Sequence, residues 1–367
     1  MAQIPSFVDR SPDLIMAEVK AQMEELLGRE LHPAQFEQLV LQIICYREIL
    51  LLERFNAGMA QLLYQFSQAP ILDYVAALVA VERLPAAEAG CMVRFTLVGG
   101  HGAVMLPGGT RVATSGGVIF ETGEDIEIDP FALEIETLVT AQEGGSAANG
   151  IAVGDVNVIL DPQAWISGVE NITVSGGGSD IENDESLRER IRLAPHQYST
   201  AGSRQSYLFH AKSASPAIID VAVWSDVPGT VCIAPLLESG EYAQVLDDIF
   251  KVCSAETVRP LTDTVIVSEP TEVHYSLWVL VEVYEGASWF DVEVRLLEAL
   301  KEFTDGKARR LGQDIVLSQI ISVCRIAEVY DVRIVTPDPI EGNIIVEFDE
   351  VPICDGINVT ITGSNVG

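Results

Sequence analysis

Basic residues are scarce in this sequence. Of its 367 residues only 22 are Lys or Arg, against 54 that are Asp or Glu, and the formal net charge is −32. Proteins that bind nucleic acid or anionic membranes need clustered Lys and Arg to neutralise phosphates. We therefore expect no direct contact with nucleic acid or a lipid surface, whereas docking onto a basic protein surface is compatible with this charge.

Long apolar runs and export signals are also missing. No apolar run reaches the roughly 18 residues that a membrane-spanning helix needs, and residues 1–10 lack the basic and apolar regions of a signal peptide. The six cysteines are far apart, and no C-x-x-C occurs. We therefore predict a protein that is made in a cytoplasm, keeps its thiols reduced and does not insert into a membrane.

Catalytic and metal-binding motifs are absent as well. The five histidines are dispersed, and neither H-E-x-x-H, G-x-S-x-G nor a phosphate-binding Gly-Lys-Ser/Thr loop occurs. A calcium loop starting at Asp180 would need Gly and an acid where Glu185 and Ile191 stand. We expect no enzyme activity, metal or cofactor. Two alternatives remain open: a carbohydrate-binding or hydrolytic protein with an aromatic and carboxylate cleft, and a calcium-stabilised adhesin.

Residues 1–83 have the pattern of helices. Ser11-Pro12 is typical of a helix start, Gly28 of a helix end, and Pro33 of the start of a longer helix. The apolar face of the longer helix is wider than a two-stranded seam. It could pack within its own domain, but we favour the hypothesis that it binds a partner chain in a helical bundle. The predicted partner-binding residues are Phe36, Val40, Ile44, Leu51, Phe55, Met59 and Leu63.

The rest of the chain predicts an α+β protein. Residues 84–178 alternate apolar and polar side chains between glycine-rich turns, which indicates a small antiparallel β domain. Residues 179–262 and 263–367 mix helices and strands in two units of the ββα type. We predict that these two α/β domains are close to ferredoxin-like plaits.

One stretch, residues 175–203, connects these parts. Glycines 176–178 end a strand, and Ser179, Asp180 and Asn183 are each suited to cap the helix that follows. That helix has acidic residues in its first turn and arginines further on, as the helix dipole favours. After its end at Pro195, Gly202-Ser203 opens a second helix, with Ser203 as its predicted cap.

This stretch resembles the baseplate J family of contractile-tailed phages and related injection machines. Four further stretches resemble that family in the same order: Glu82–Ala86, Leu106–Thr122, Gly144–Asn157 and Arg259–Asp263. The motif residues that the resemblance assigns to structural roles are Gly176, Gly177, Asp180, Glu182, Asp184, Glu185, Leu187, Arg188, Arg190, Gly202 and Ser203.

The resemblance implies a structural baseplate wedge protein that links the hub and tube region to the wedge periphery. Its implied partners are a tail protein I-type subunit, a second copy of itself and other wedge and hub proteins. Its implied place is the baseplate of a virion tail or tail-like particle, assembled in the bacterial cytoplasm. A phage, a bacteriocin and an injection system stay equally open, and a carbohydrate-binding or hydrolytic tail protein is the alternative.

Overall fold

The computed structural model describes residues 4–33, 35–199, 202–238, 242–340 and 342–366. It divides into two compact units, one made of residues 1–83 and 183–194 and the other of residues 84–182 and 195–367. The predicted mixture of helix and strand is confirmed, whereas the predicted division into four domains stays a prediction. Among the helices of the described residues, none combines the length and apolar character needed to cross a bilayer.

The first unit is helical. Its core contains Ile15, Leu41 and Cys45, each at most 1% exposed. Ser11 caps the first helix by accepting from the Leu14 N–H, and Gly28, at φ +63°, ends it. The long helix begins at Phe36, with Gln35 as its N-cap, and so starts later than Pro33 predicted. The helices are α1 (Pro12–Leu27), α2 (Phe36–Ala60), α3 (Ile71–Ala77) and α4 (Asp184–Leu193).

The second unit begins with an antiparallel sheet that nearly closes into a barrel. Its order is β7-β3-β4-β6-β1-β8, with β2 and β5 forming a separate pair. The fully buried Asn171 of β8 accepts from the Val156 N–H of β7 at 2.9 Å, so a side chain links the two end strands. The strands are β1 (Gly90–Leu97), β2 (Val104–Leu106), β3 (Arg111–Thr114), β4 (Ile119–Thr122), β5 (Ile126–Ile128), β6 (Glu134–Ala141), β7 (Val156–Ile159) and β8 (Ile166–Asn171).

Two three-stranded sheets follow, with orders β11-β10-β9 and β13-β12-β14. In each, the central strand has one antiparallel and one parallel neighbour. The ferredoxin-like plait is therefore not confirmed, since that fold needs four strands with antiparallel neighbours. The elements are α5 (Arg204–Lys212), β9 (Ile218–Trp224), β10 (Thr230–Leu237), α6 (Tyr242–Cys253), β11 (Thr264–Val267), β12 (Thr271–Tyr284), α7 (Trp289–Ala308), α8 (Leu317–Cys324), β13 (Val329–Thr336) and β14 (Glu350–Asn365).

Candidate docking surface and motif residues

Helix α2 has apolar side chains on two sides. One side carries the buried Leu41 and Cys45 and packs within the helical unit. The other side carries much of the predicted partner-binding face, and its side chains are in solvent. The exposed fractions are 75% for Phe36, 47% for Ile44, 64% for Leu51 and 50% for Phe55.

Exposed apolar residues flank this face and widen it. Leu39, Ile43 and Tyr46 are each more than half exposed. We call these three residues, together with Phe36, Val40, Ile44, Leu51 and Phe55, the α2 surface. By helical spacing the exposed Arg47 and Arg54 lie among these residues. Several large apolar side chains exposed on one helix face of a monomer usually mark an interaction site, because exposing each one forgoes about 1.5–3 kcal/mol.

Three residues of the predicted face are placed differently. Val40 is half-buried, although helical spacing places it between Phe36 and Ile44 on the α2 surface. Met59 is also half-buried and, by helical spacing, lies on the side of the buried Leu41. Leu63 lies beyond the helix, which ends at Ala60, and is 39% exposed. Because the helix ends at Ala60, its apolar face is shorter than the predicted one.

The motif helix α4 is tied to the same helical unit by an ion-pair network. The Arg83 guanidinium lies 2.7 Å from Oδ1 of Asp184 and 2.7 Å from Oδ1 of Asp73. The Ala69 N–H donates to Oδ2 of Asp184 at 3.2 Å. Asp184 thus connects the first turn of α4 to Ala69, which precedes α3, and to Arg83, which follows it.

The arginines of α4 bind backbone carbonyls of the same unit. Arg188 donates through Nη2 to the Ser67 carbonyl at 2.8 Å, and Arg190 donates through Nη1 to the Glu82 carbonyl at 3.0 Å. Leu187, next to Arg188 on the helix, is fully buried. Glu185, in contrast, is exposed and contributes charge in the first turn. The arginines therefore position α4 and do more than complement its dipole.

The charge of Asp184 is stabilised in the folded unit. Burial by itself raises the pKa of this carboxyl. The hydrogen bonds from Arg83 and from the Ala69 N–H outweigh burial, so the pKa of Asp184 lies below its ordinary value. The same ion pair raises the pKa of Arg83 against the effect of its own burial. Both groups are therefore charged at neutral pH.

The motif residues before α4 belong to the second unit. Gly176 exchanges two backbone hydrogen bonds with Gly90, and Gly177 has φ +84°. Asp180 accepts from the Ser146 N–H at 2.8 Å, and Glu182, only 3% exposed, accepts from the Leu84 N–H at 3.0 Å. Asp180 therefore ties down a neighbouring loop, and Ser179 forms a backbone bridge with Ala87.

Only one of the three predicted capping residues caps α4. The side chain of Asn183 accepts from the N–H groups of Glu185 and Ser186, both at 2.9 Å. The predicted capping roles of Ser179 and Asp180 are therefore wrong. Both lie too far before the first helical residue to reach its free N–H groups.

Two separate motif stretches meet in the second unit. A Cβ on Gly202, whose φ is +68°, would lie 2.8 Å from Oδ2 of Asp263 and 2.9 Å from Cγ of Pro260. Ser203 caps α5 as predicted, and the Tyr207 hydroxyl donates to Oδ2 of Asp263 at 3.1 Å. Ala201, which belongs to the motif stretch 175–203, lies outside the described residues. Because Gly202 has no Cβ, the side chains of Asp263 and Pro260 can lie close to its backbone.

Arg83 and Asp73 were missed as positioning residues in the sequence. Arg83 stands within the Glu82–Ala86 stretch, so the resemblance marked it without assigning it a role. Asp73 carries no comparable signal. Within the ranges that the structure describes, no group of three or more His, Cys, Asp or Glu side chains is arranged to hold a metal ion.

Two stretches of the chain match the domains of known proteins. Residues 92–178 match the model of the baseplate J-like protein barrel domain, and residues 199–269 match that of the baseplate J-like central domain. The chain is also similar to baseplate protein J of Escherichia phage P2, with 27% identity over 203 residues. The chain therefore carries two baseplate J-like domains.

The match to the P2 protein covers 54% of this baseplate J-like chain and 66% of the P2 protein, just under two thirds of its length. The chain also resembles a subunit in a cryo-EM structure of the anti-feeding prophage baseplate, with 14% identity, a TM-score of 0.43, and coverage of 93% of this chain and 90% of that one. Helix α4 falls between the two matched ranges, and the α2 surface precedes both.

Proposed function

We propose that this baseplate J-like chain is a structural component of the baseplate of a contractile tail, in a phage or a phage-like particle. Its finer role is that of a wedge protein that links the hub and tube region to the periphery. In this role it helps to transmit the contraction trigger through rearranged subunit contacts, and it needs no catalysis. The two baseplate J-like domains and the naming of the P2 relative as a baseplate protein support the proposal.

The observation that carries the proposal is the α2 surface. A free monomer gains nothing from exposing Phe36, Ile44, Leu51 and Phe55, whereas a subunit of an assembly buries them against its neighbour. The α4 network fixes α3 within the same unit, so part of the unit that presents the α2 surface is already ordered before a partner arrives. Pre-organisation of this kind lowers the entropy cost of binding.

The proposed partner at the α2 surface is a tail protein I-type subunit. The proposal further includes a second copy of this chain in the same bundle and contacts with other wedge and hub proteins. Assembly takes place in the bacterial cytoplasm in this proposal. Association depends on the burial of apolar side chains, because the surface is rich in Ile, Leu and Phe.

The test is co-purification with a tail protein I-type subunit encoded beside this chain. The double substitution Ile44→Asp and Leu51→Asp places two carboxylates in the middle of the α2 surface. We expect it to weaken the complex by more than about 100-fold, since each buried aliphatic side chain contributes about 1.5–3 kcal/mol. Size-exclusion chromatography with light scattering measures the loss of the complex.

A matched control is Leu26→Asp, which introduces the same carboxylate at an 84% exposed leucine of α1 outside the α2 surface. We expect this variant to retain the complex. All four tryptophans lie outside residues 1–83 and 183–194, so their fluorescence reports whether the second unit remains folded in each variant. Unchanged complex formation by the double variant would remove the α2 surface from the proposal.

A further inference from the structure

The strand β14 has a long unpaired edge. It lies at the end of its sheet and, within the part of the chain that the structure describes, pairs only with β12, to which it runs parallel. The register shifts at Asp355 and at Thr362, and the segment Gly356–Ile361 between these bulges is regular. An edge strand presents a row of unpaired backbone N–H and C=O groups to any strand that can join it.

Two cavities flank this edge, one on each face of the sheet. The first, of about 490 Å³, lies between α7 and β14 and is lined by Leu297, Lys301, Asp305, Ala308 and Ile357, among others. The second, of about 400 Å³, lies on the other face and extends from Asn358 of β14 across Ser276 and Trp278 of β12 to Thr336 of β13. Gly356 and Ile357 border both cavities.

We propose that the β14 edge binds an extended segment of a partner protein, which joins the sheet as an additional strand. Successive side chains of a strand point to opposite faces, so an added strand would place alternate side chains toward the two cavities. Backbone hydrogen bonds to Gly356–Ile361 provide affinity, and the cavities select the side chains. This site is separate from the α2 surface, and its failure would leave the proposed baseplate role intact.

The cavities define the chemistry of the partner segment. Toward α7 the walls are mostly apolar, from Leu297, Ala308 and Ile357 among others, with Lys301, Thr304 and Asp305 as the polar lining residues. The side chains entering there are therefore mainly apolar. The rim of α7 carries Glu298 and Asp305 against the single Lys301, and all three are exposed. The segment therefore alternates apolar side chains with basic or polar ones.

Charge also argues against a second copy of this chain as the occupant. Each copy has a formal net charge of −32, and joining two such edges would bring both acidic surfaces together. A basic segment, in contrast, is attracted to the site before the strand forms. We therefore assign the edge to a different, basic partner.

The test starts from random twelve-residue peptides displayed on phage and selected on the full-length protein. Enriched peptides are synthesised, and their dissociation constants are measured by fluorescence anisotropy. We expect apolar residues to alternate with basic or polar ones. We also expect peptides that are N-methylated at alternate positions to lose at least about tenfold in affinity in one register only, because only one set of N–H groups faces β14.

Two substitutions test the location. Ala308→Trp fills the cavity beside α7, and Asp305→Lys reverses the charge of an exposed rim residue. Each should weaken peptide binding at least about tenfold. Glu302→Lys makes the same charge change on α7 outside the cavity lining and should change affinity less than about threefold.

Three outcomes would overturn the proposal. The first is enrichment of acidic or non-alternating peptides, or of none. The second is binding that responds alike to N-methylation in both registers, or that is unaffected by both Ala308→Trp and Asp305→Lys. The third is self-association of the chain that these two substitutions abolish, which would assign the edge to a second copy.

Discussion

At the scale of single residues, Gly202 shows how a motif glycine acts through space. Its φ of +68° is one constraint, and its approach to Asp263 and Pro260 is a second. The Tyr207 hydroxyl binds the same carboxylate from the first turn of α5. Residues 202–207 and 259–263 therefore pack against each other, although more than fifty residues separate them in the chain.

The two constraints on Gly202 can be separated by mutation. Gly202→Ala should destabilise the second unit by about 2–4 kcal/mol, because the substitution adds both backbone strain and a clash. Gly177→Ala is the control, since Gly177 has φ +84° but an added Cβ would meet no atom within 4 Å. It should cost about 1 kcal/mol. Urea unfolding followed by tryptophan fluorescence measures both, and equal losses would contradict the role of the close approach.

At the scale of elements, local sequence signals predicted helix α4 but not the residues that pack against it. Asn183, the acidic first turn and the arginines that follow predicted the helix because capping and dipole effects act within a few residues. Its packing in the unit of residues 1–83 depends on Arg83, more than a hundred positions away. No local pattern encodes such a pair.

The same limit applies to the sheets. The alternation of apolar residues in β1 and β12 predicted strands correctly, since it reflects which face of each strand is buried. Strand order is set by pairing between distant segments, and the predicted plait did not anticipate that β14 would lie parallel to β12. The exposed α2 surface was predictable in outline because its residues recur at helical spacing. Its end at Ala60 was not.

The Asp184 network gives the helical unit a pH dependence. Because the folded-state pKa is depressed, Asp184 contributes stability in full above its unfolded pKa of about 3.9, and the contribution is lost as the pH falls through the folded value. Asp184→Asn should therefore weaken α3 and α4 by about 1–2 kcal/mol at pH 7, and the difference from the natural chain should shrink toward pH 3. Hydrogen-exchange protection factors of residues 71–77 and 184–193 measure this.

Glu185→Gln is the matched control for that experiment. It removes a first-turn charge from an exposed residue and tests the helix dipole alone, for which we expect about 0.3–1 kcal/mol. A loss of protection equal to that of Asp184→Asn would mean that the Arg83 pair adds nothing beyond the dipole. A deficit in Asp184→Asn that persists unchanged at pH 3 would contradict the assigned ionisation.

At the scale of the whole molecule, the net charge of −32 acts on every interface at once. Two copies of the chain repel each other, so the apolar α2 surface cannot drive self-association freely at low ionic strength. A basic partner is attracted by the same field. Salt screens both effects, since the Debye length falls from about 14 Å at about 0.05 M to about 4 Å at about 0.5 M. Salt should therefore favour association between two copies of the chain and weaken association with a basic partner.

Light scattering on the isolated chain tests the predicted effect of salt on self-association. We expect a monomer at about 0.05 M NaCl and a growing fraction of larger species toward about 0.5 M, as screening lets the α2 surfaces of two copies meet. The Ile44→Asp and Leu51→Asp variant should stay monomeric at both concentrations, which identifies the surface responsible. Association with a basic partner should instead slow with salt, mainly through its on-rate. Self-association that is strongest at low salt would show that local charge pairing between copies, and not the net charge, governs assembly.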